Sequence, residues 1–227
     1  MMSLTCESLT EIVVFGAHCD DIAIGAGGTL LMLAGANPGL LVRCLILSGR
    51  GSERELEERR ALSAFCPGAR IDITVCDITD GSAPAEWARI KQTLRDLRRR
   101  SEPQLILAPN REDAHHDHRL LADLITTEFR DHLVLRYEIV KWETDTPRPT
   151  VFHPLTPAIA AAKARMLVEH YPSQRHRHWF DERTFLGLAR IRGVQCGTEF
   201  AEGFLIDKAK IDFRGRTDGN REPPATS

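Results

Sequence analysis

The sequence lacks several features that would place it quickly. No apolar run reaches the roughly eighteen residues of a membrane span. There is no charge excess: the formal net charge is −2, which favours neither a nucleic-acid nor an anionic-membrane partner. None of the six cysteines forms a C-x-x-C pair, and their spacing fits no zinc finger or ribbon. There is no internal repeat, so a solenoid or array is excluded. The N-terminal stretch has no basic start and no long apolar core, so a cytoplasmic location is the expectation. All cysteines but Cys19 read as reduced structural thiols; Cys44, Cys66 and Cys76 lie in or beside apolar segments.

What is present is a mix of 42% hydrophobic and 27% charged residues, the ordinary balance of a globular domain. With 227 residues the chain can bury a full core. The first half alternates short β-branched runs with amphipathic segments. Strands are predicted at 12–17, 40–47, 71–75 and 105–108, and helices at 21–33, 53–65 and 84–100. This alternation predicts an α/β fold, a Rossmann-like, mostly parallel sheet flanked by helices. The second half is less regular, with helices at 116–129 and 157–170, a strand at 133–140 and a last short strand at 204–206. Residues 1–206 read as one domain and 207–227 as a polar, partly disordered tail.

Two polar clusters stand out, His18-Cys19-Asp20-Asp21 and His115-His116-Asp117-His118. The first directly follows an apolar strand; the second lies a short loop beyond one. Residues just past strand C-termini share one rim of such a sheet, where ligands bind. Clusters far apart in sequence then meet in space. Three imidazole or carboxylate ligands with an open position make a catalytic metal site, and a further carboxylate can act as a base. The alternative for the first cluster is an Asp capping the next helix beside a core imidazole. Cys19 could be a ligand or nucleophile, since thiolates bind zinc well. Gly25-x-Gly27-Gly28 does not follow its strand immediately and has Leu30 at the third glycine position, so close helix packing is preferred over dinucleotide binding. Arg50 and Arg54 follow the second strand and could contact a substrate phosphate or carboxylate. The run Arg95, Arg98, Arg99 and Arg100 reads as a solvated helix end. The cluster His176-Arg177-His178-Trp179 could line the lip of a sugar pocket or form a partner-contact patch, and the pocket lip is preferred.

Ala17-His18-Cys19-Asp20-Asp21, the stretch Gly25-Ala26-Gly27-Gly28-Thr29-Leu30 and His115-His116-Asp117-His118-Arg119 together resemble the PIG-L/LmbE-like family of metal-dependent de-N-acetylases. That family carries a His-Pro-Asp-Asp motif, a Gly-Gly-Thr-Leu stretch and a later His-x-Asp-His motif. Weaker echoes run from Lys163 and Tyr171-Pro172-Ser173-Gln174 to Ala201-Glu202-Gly203-Phe204. The resemblance implies a single LmbE-like domain with a divalent metal, Zn2+ first and Fe2+ second, held by His18, Asp21 and His118. It implies Asp20 as general base. It implies that His115 stabilises the oxyanion or protonates the leaving amine, and that Asp117 orients that imidazole and raises its pKa. The implied substrate is an N-acetylated sugar or glycoconjugate, with an N-acetyl-hexosamine group the first choice. An amidase acting on a larger acyl or thiol conjugate is the alternative within enzymes, and a non-catalytic metal- or sugar-binding module is the alternative outside them. A homo-oligomer is compatible with all of these. Two positions depart from the family pattern: Cys19 replaces its proline, and Ala23 stands near where many members carry a glutamate.

Overall fold

In the computed structural model, residues 3–5 and 9–211 are described, so most of the predicted polar tail, 212–227, lies outside the described residues. Seven strands and six longer helices follow in chain order: β1 Glu11–Gly16, α1 Asp21–Ala36, β2 Leu41–Ile46, α2 Glu53–Phe65, β3 Arg70–Val75, α3 Trp87–Arg99, β4 Leu105–Pro109, α4 His116–Glu128, β5 Val134–Tyr137, β6 Val151–Leu155, α5 Pro157–His170, α6 Glu182–Cys196 and β7 Phe200–Ile206. The strands form one sheet in the order β3-β2-β1-β4-β5-β7-β6. The first five pair in parallel, and β7 runs antiparallel between β5 and β6. The predicted α/β class and mostly parallel sheet are what the chain forms.

Strand pleating sends alternate residues of β1 to opposite faces. Ile12 and Val14 join a core with Ile22, Phe65, Leu167 and Tyr171, under α1, α2 and α5. Val13 and Phe15 join a second core with Ile90, Leu94, Leu121 and Ile125, under α3 and α4. The result is a sheet covered by helices on both faces, as a parallel sheet requires.

Three elements differ from the sequence expectation. Strand β6 contains Pro154, which argues against a central strand but is tolerated at an edge, and β6 is the last strand of the sheet. Strand β7 begins at Phe200 rather than Phe204, because its pairing with β6 extends back along the chain. Helix α6 was not predicted. Its apolar residues form no clean stripe, and Ile191 and Val194 stay exposed while Phe185 and Ala189 are buried. Its caps are nonetheless orthodox: the Asp181 carboxylate accepts the Thr184 N–H at 2.8 Å, and Gly197 closes the helix at φ +79°.

Helix α1 extends to Ala36 and kinks at Ala26. The kink has an identifiable cause. The buried Glu202 carboxylate accepts the Gly28 and Thr29 N–H groups at 2.8 and 2.7 Å, and Lys163 bridges Glu202 and the Ile24 carbonyl at 2.6 Å each. The glycines here permit contact: a Cβ on Gly25 would run into the Tyr137 ring, and one on Gly27 would lie 2.8 Å from Phe65.

For the site, the decisive pairing is β1 beside β4, with Ile12 opposite Leu105 and Val14 opposite Leu107. Strand order reverses between these two strands. The crevice outside their C-terminal ends is where an open α/β sheet binds ligands, and both polar clusters open onto it.

Candidate active site and metal centre

The turn after β1 is shaped by its own carboxylates. Asp21 Oδ2 accepts the N–H groups of Ala17 and His18 at 2.9 and 2.8 Å, closing the turn and fixing that oxygen at the start of α1. Asp20 has φ +117°, the one positive φ at a non-glycine among the described residues. Such a conformation costs of order 1–3 kcal/mol and persists only where its surroundings enforce it. Helix α2 supplies them: Glu58 Oε2 accepts the Asp20 N–H at 2.9 Å, and Arg54 donates to the Cys19 carbonyl and pairs with Asp20 Oδ2 at 3.1 Å. Asp20 stands at the N-cap position of α1 yet makes no capping bond with its side chain. The capping account of this residue therefore gives way to one in which the carboxylate lines the cleft, paired with Arg54.

The second cluster opens α4. His115 is the N-cap, its Nδ1 accepting the Asp117 N–H at 3.3 Å. One turn on, His118 reaches the first cluster. His118 Nε2 lies 3.0 Å from His18 Nδ1 and 3.3 Å from Asp21 Oδ2, and the latter two are 3.6 Å apart. Ligands about 2.0–2.1 Å from a tetrahedral ion sit roughly 3.3 Å from one another, so these three atoms match the separations of a preformed ligand set. The other imidazole nitrogens face carboxylates, as metal-binding histidines require. His118 Nδ1 is 3.0 Å from Asp113 Oδ2, and His18 Nε2 is 3.0 Å from Asp80 and 3.3 Å from Asp117. Two further, overlapping groups lie within 4.8 Å: ring nitrogens of His18, His115 and His118, and ring nitrogens of His18 and His115 with oxygens of Asp80 and Asp117. Asp80 has an exposed side chain, and the Asp117 oxygens, like Asp21 Oδ2, accept backbone N–H groups, from Gly81 at 2.8 Å and Ala83 at 3.0 Å. The Asp21 set is the most buried of the three.

The carboxylates around the two imidazoles favour positive charge between them. Burial disfavours charge on His18, but its bonds to Asp117, Asp21 and Asp80 outweigh that and push it up to about 12. Burial likewise opposes charge on His118, yet Asp21 and Asp113 lift it to about 9. Against its own burial, Asp21 is held well below the usual carboxylate range by these two imidazoles. Burial pushes Asp20 up to about 6, with Arg54 pulling the other way.

His115 differs from its expected behaviour. Burial, with the neighbouring His18 and His118, lowers its pKa rather than raising it. The Asp117 carboxylate lies against His18 and the 81–83 backbone; the carboxylate nearest His115 Nε2 is Asp80, at 3.9 Å.

Arg54 lines the cleft together with His18, Asp20, Asp21, Asp80, His115 and His118, whereas Arg50 lines a separate pocket with Asp77 and Arg89. Cys19 is buried, its Sγ 3.4 Å from the Ser48 carbonyl, and burial pushes its thiol well up, which disfavours the thiolate. Arg177 and Trp179 line the cleft, and His178 packs edge-on against Trp142 at 4.5 Å.

Sequence reasoning missed Asp80, Lys141 and Glu58. Asp80 and Lys141 follow β3 and β5 at the same sheet rim, so the rim rule that found the histidines could have found them. Glu58 had no such signal, being one acid among several on a charged helix. It is wholly buried, holds the Asp20 N–H and the Tyr171 hydroxyl through Oε2, and has no partner at Oε1. Burial pushes it from the usual 4.5 to about 8. A folded-state pKa raised in this way stabilises the fold fully below the usual carboxylate range and loses that contribution as pH rises through about 8. Relative to Glu58→Gln, which keeps an acceptor there, the wild type should lose stability between about pH 4.5 and 8. Urea midpoints of both proteins across that range test this; parallel curves would refute it.

The sequence matches the PIG-L family, described as GlcNAc-PI de-N-acetylase, over residues 13–129, and the chain belongs to that family. No curated protein matches the sequence. Among solved structures the fold is similar to N,N'-diacetylchitobiose deacetylase from Pyrococcus horikoshii, with TM-score 0.66 and 20% identity over 87% of this chain and 84% of that one. It is also similar to GalB, the 4-carboxy-2-hydroxymuconate hydratase of Pseudomonas putida, with TM-score 0.72 and 20% identity over 89% and 98%. A third similar structure is the zinc-inhibited form of teicoplanin deacetylase, with TM-score 0.63 and 15% identity over 86% and 96%. Among the described residues no helix is long and apolar enough to cross a membrane.

Proposed function

We propose that the chain is a metal-dependent de-N-acetylase that hydrolyses the acetamido group of an N-acetyl-hexosamine-containing substrate, releasing acetate and a free amine. The observation that carries this reading is the preformed set of His18 Nδ1, Asp21 Oδ2 and His118 Nε2 beside a fourth carboxylate, Asp20, held in a left-handed turn. Family membership and the deacetylases of similar fold support it. A divalent ion, Zn2+ or Fe2+, held by His18, Asp21 and His118 would supply Lewis acidity toward the amide carbonyl and the attacking water.

The chain's own groups do the rest. Asp20 takes the proton of the water that attacks the carbonyl carbon. Arg54, 3.1 Å away, keeps this buried carboxylate ionised until then. His115 at the cleft edge donates to the oxygen on which charge develops. As the C–N bond breaks, the proton on Asp20 passes to the departing nitrogen. Asp117 and Asp113 hold the His18 and His118 rings in position.

A second reading, metal-assisted addition of water to an unsaturated carboxylic acid, is favoured by the cationic outer wall of the cleft and the similar fold of a hydratase. An acetate-release screen of the metal-loaded protein separates the two. N-acetylated sugars, sugar nucleotides, glycosylated natural products and thiol conjugates are the substrates to try. Acetate and free amine in equal amounts from a sugar amide are expected; no acetate from any of them would overturn the reading.

A further inference from the structure

We propose that Arg177, braced against Trp179, is the recognition residue for an anionic group, a carboxylate or a phosphate, on the substrate that enters the His18 cleft. The inference rests on that cleft being the reacting site, but not on which bond is hydrolysed or hydrated there.

Three cationic side chains line the cleft: Arg54, Lys141 and Arg177. Two are already engaged. Arg54 is tied to the Cys19 carbonyl and Asp20, and Lys141 to Asp113 at 3.1 Å and Asp145 at 2.7 Å. The acidic residues of the cleft are likewise spoken for, Asp80 by His18, Asp20 by Arg54 and Asp21 by the two imidazoles. Arg177 alone among the three forms no ion pair with any described carboxylate, and its guanidinium carbon lies 6.0 Å from the centre of the Trp179 ring. A guanidinium presents a planar fork of donors that matches carboxylate and phosphate oxygens, and aromatic stacking holds such a fork in place. Trp179 is nine-tenths buried, and its Nε1–H also has no acceptor. The guanidinium on this wall of the cleft is therefore open to an acceptor-rich, negatively charged ligand.

The segment carrying Arg177 is held in place. Glu57 accepts the Ser173 N–H at 2.9 Å and its hydroxyl at 2.5 Å, Arg177 N–H donates to the Gln174 carbonyl at 2.9 Å, and Phe180 N–H donates to the Arg177 carbonyl at 3.0 Å. Glu57 lies on α2, the helix that also positions Asp20 through Arg54 and Glu58. One helix thus sets both the reacting end of the cleft and its free cation, which favours a substrate of fixed length between the two.

Two measurements test this. The first is acetate release from neutral N-acetylglucosamine, from N-acetylglucosamine 6-phosphate and from N-acetylmuramic acid, which carries a carboxylate. The wild type should prefer one of the charged amides. Arg177→Gln should lose that preference by about 10–100-fold, the effect of removing one charged hydrogen-bond partner, with the loss in KM rather than kcat. Arg177→Lys should recover part of it, and Arg175→Gln, whose guanidinium donates to the Val168 carbonyl, should retain it. Equal treatment of neutral and charged amides by the wild type, or an equal loss on all three in Arg177→Gln, overturns the proposal. The second is calorimetric titration of the metal-loaded wild type and Arg177→Gln with inorganic phosphate and with succinate. Weaker binding of one anion by the variant supports the subsite and says which chemistry it takes. The same affinity in both proteins, or no binding to the wild type, overturns it. Anion binding that depends on Arg177, with no acetate from any amide, would instead remove the deacetylation reading and leave the subsite standing.

Discussion

His118→Ala is expected to remove bound metal altogether and, with it, all measurable hydrolysis. His118 is the residue through which α4 reaches the turn after β1, and without it only His18 and Asp21 remain of the three-atom set. Two ligands do not hold a zinc-type ion in a site of this kind, and affinity depends on the complete set. Elemental analysis of protein purified without chelator should find one divalent ion per wild-type chain and none in the variant. Replacing Asp113, which sits 3.0 Å from the far nitrogen of His118, is the graded form of the same experiment; loss of such a supporting carboxylate typically weakens metal affinity by about 10–100-fold. Full occupancy and full activity in His118→Ala would show that the ion, if any, sits elsewhere.

Asp20→Asn should behave in the opposite way. It should keep the metal and lose about 10²–10⁴-fold in kcat, the usual range for a positioned general base. The amide retains the shape of the side chain and a possible contact to Arg54, and the Glu58 bond to the Asp20 N–H does not involve the side chain. The left-handed turn and the ligands on either side should therefore survive, and a loss of rate can be read as a loss of proton transfer. Near-wild-type turnover in a metal-loaded Asp20→Asn protein would remove Asp20 from the proposed chemistry.

Much of the scaffold was legible from local pattern. The β-branched runs of β1 to β4 and the amphipathic segments between them are each short enough to be read one at a time, and a parallel sheet follows from their alternation. The antiparallel end was less legible. Strand β6 carries a proline and depends on its edge position, and β7 takes its length from pairing with β6. Helix α6 leaves apolar residues exposed, which breaks the periodicity by which a helix is recognised.

At the site the division is similar. The two dense polar clusters were legible because they stand close to strand ends; the choice of His18, Asp21 and His118 within them came from the family resemblance. The partners of those residues were not legible. Asp80, Lys141 and Glu58 are ordinary charged residues in the sequence, and only chain packing brings them within about 3 Å of the residues they serve.

The sequence by itself determined the α/β class, the parallel half of the sheet and the two clusters, because each depends on residues adjacent in the chain. Tertiary structure decided the rest. It put β1 beside β4, so that residues one hundred positions apart lie 3.0 Å from each other. It used α2 to force Asp20 into a left-handed turn and sealed Cys19 away from solvent. It also turned Asp117 toward His18 and left Arg177 against Trp179 with no ion-pair partner among the described residues. Backbone propensity and side-chain period act over a few residues. Burial, ion pairing and the pKa shifts they cause depend on groups that meet only when the sheet and its helices have closed.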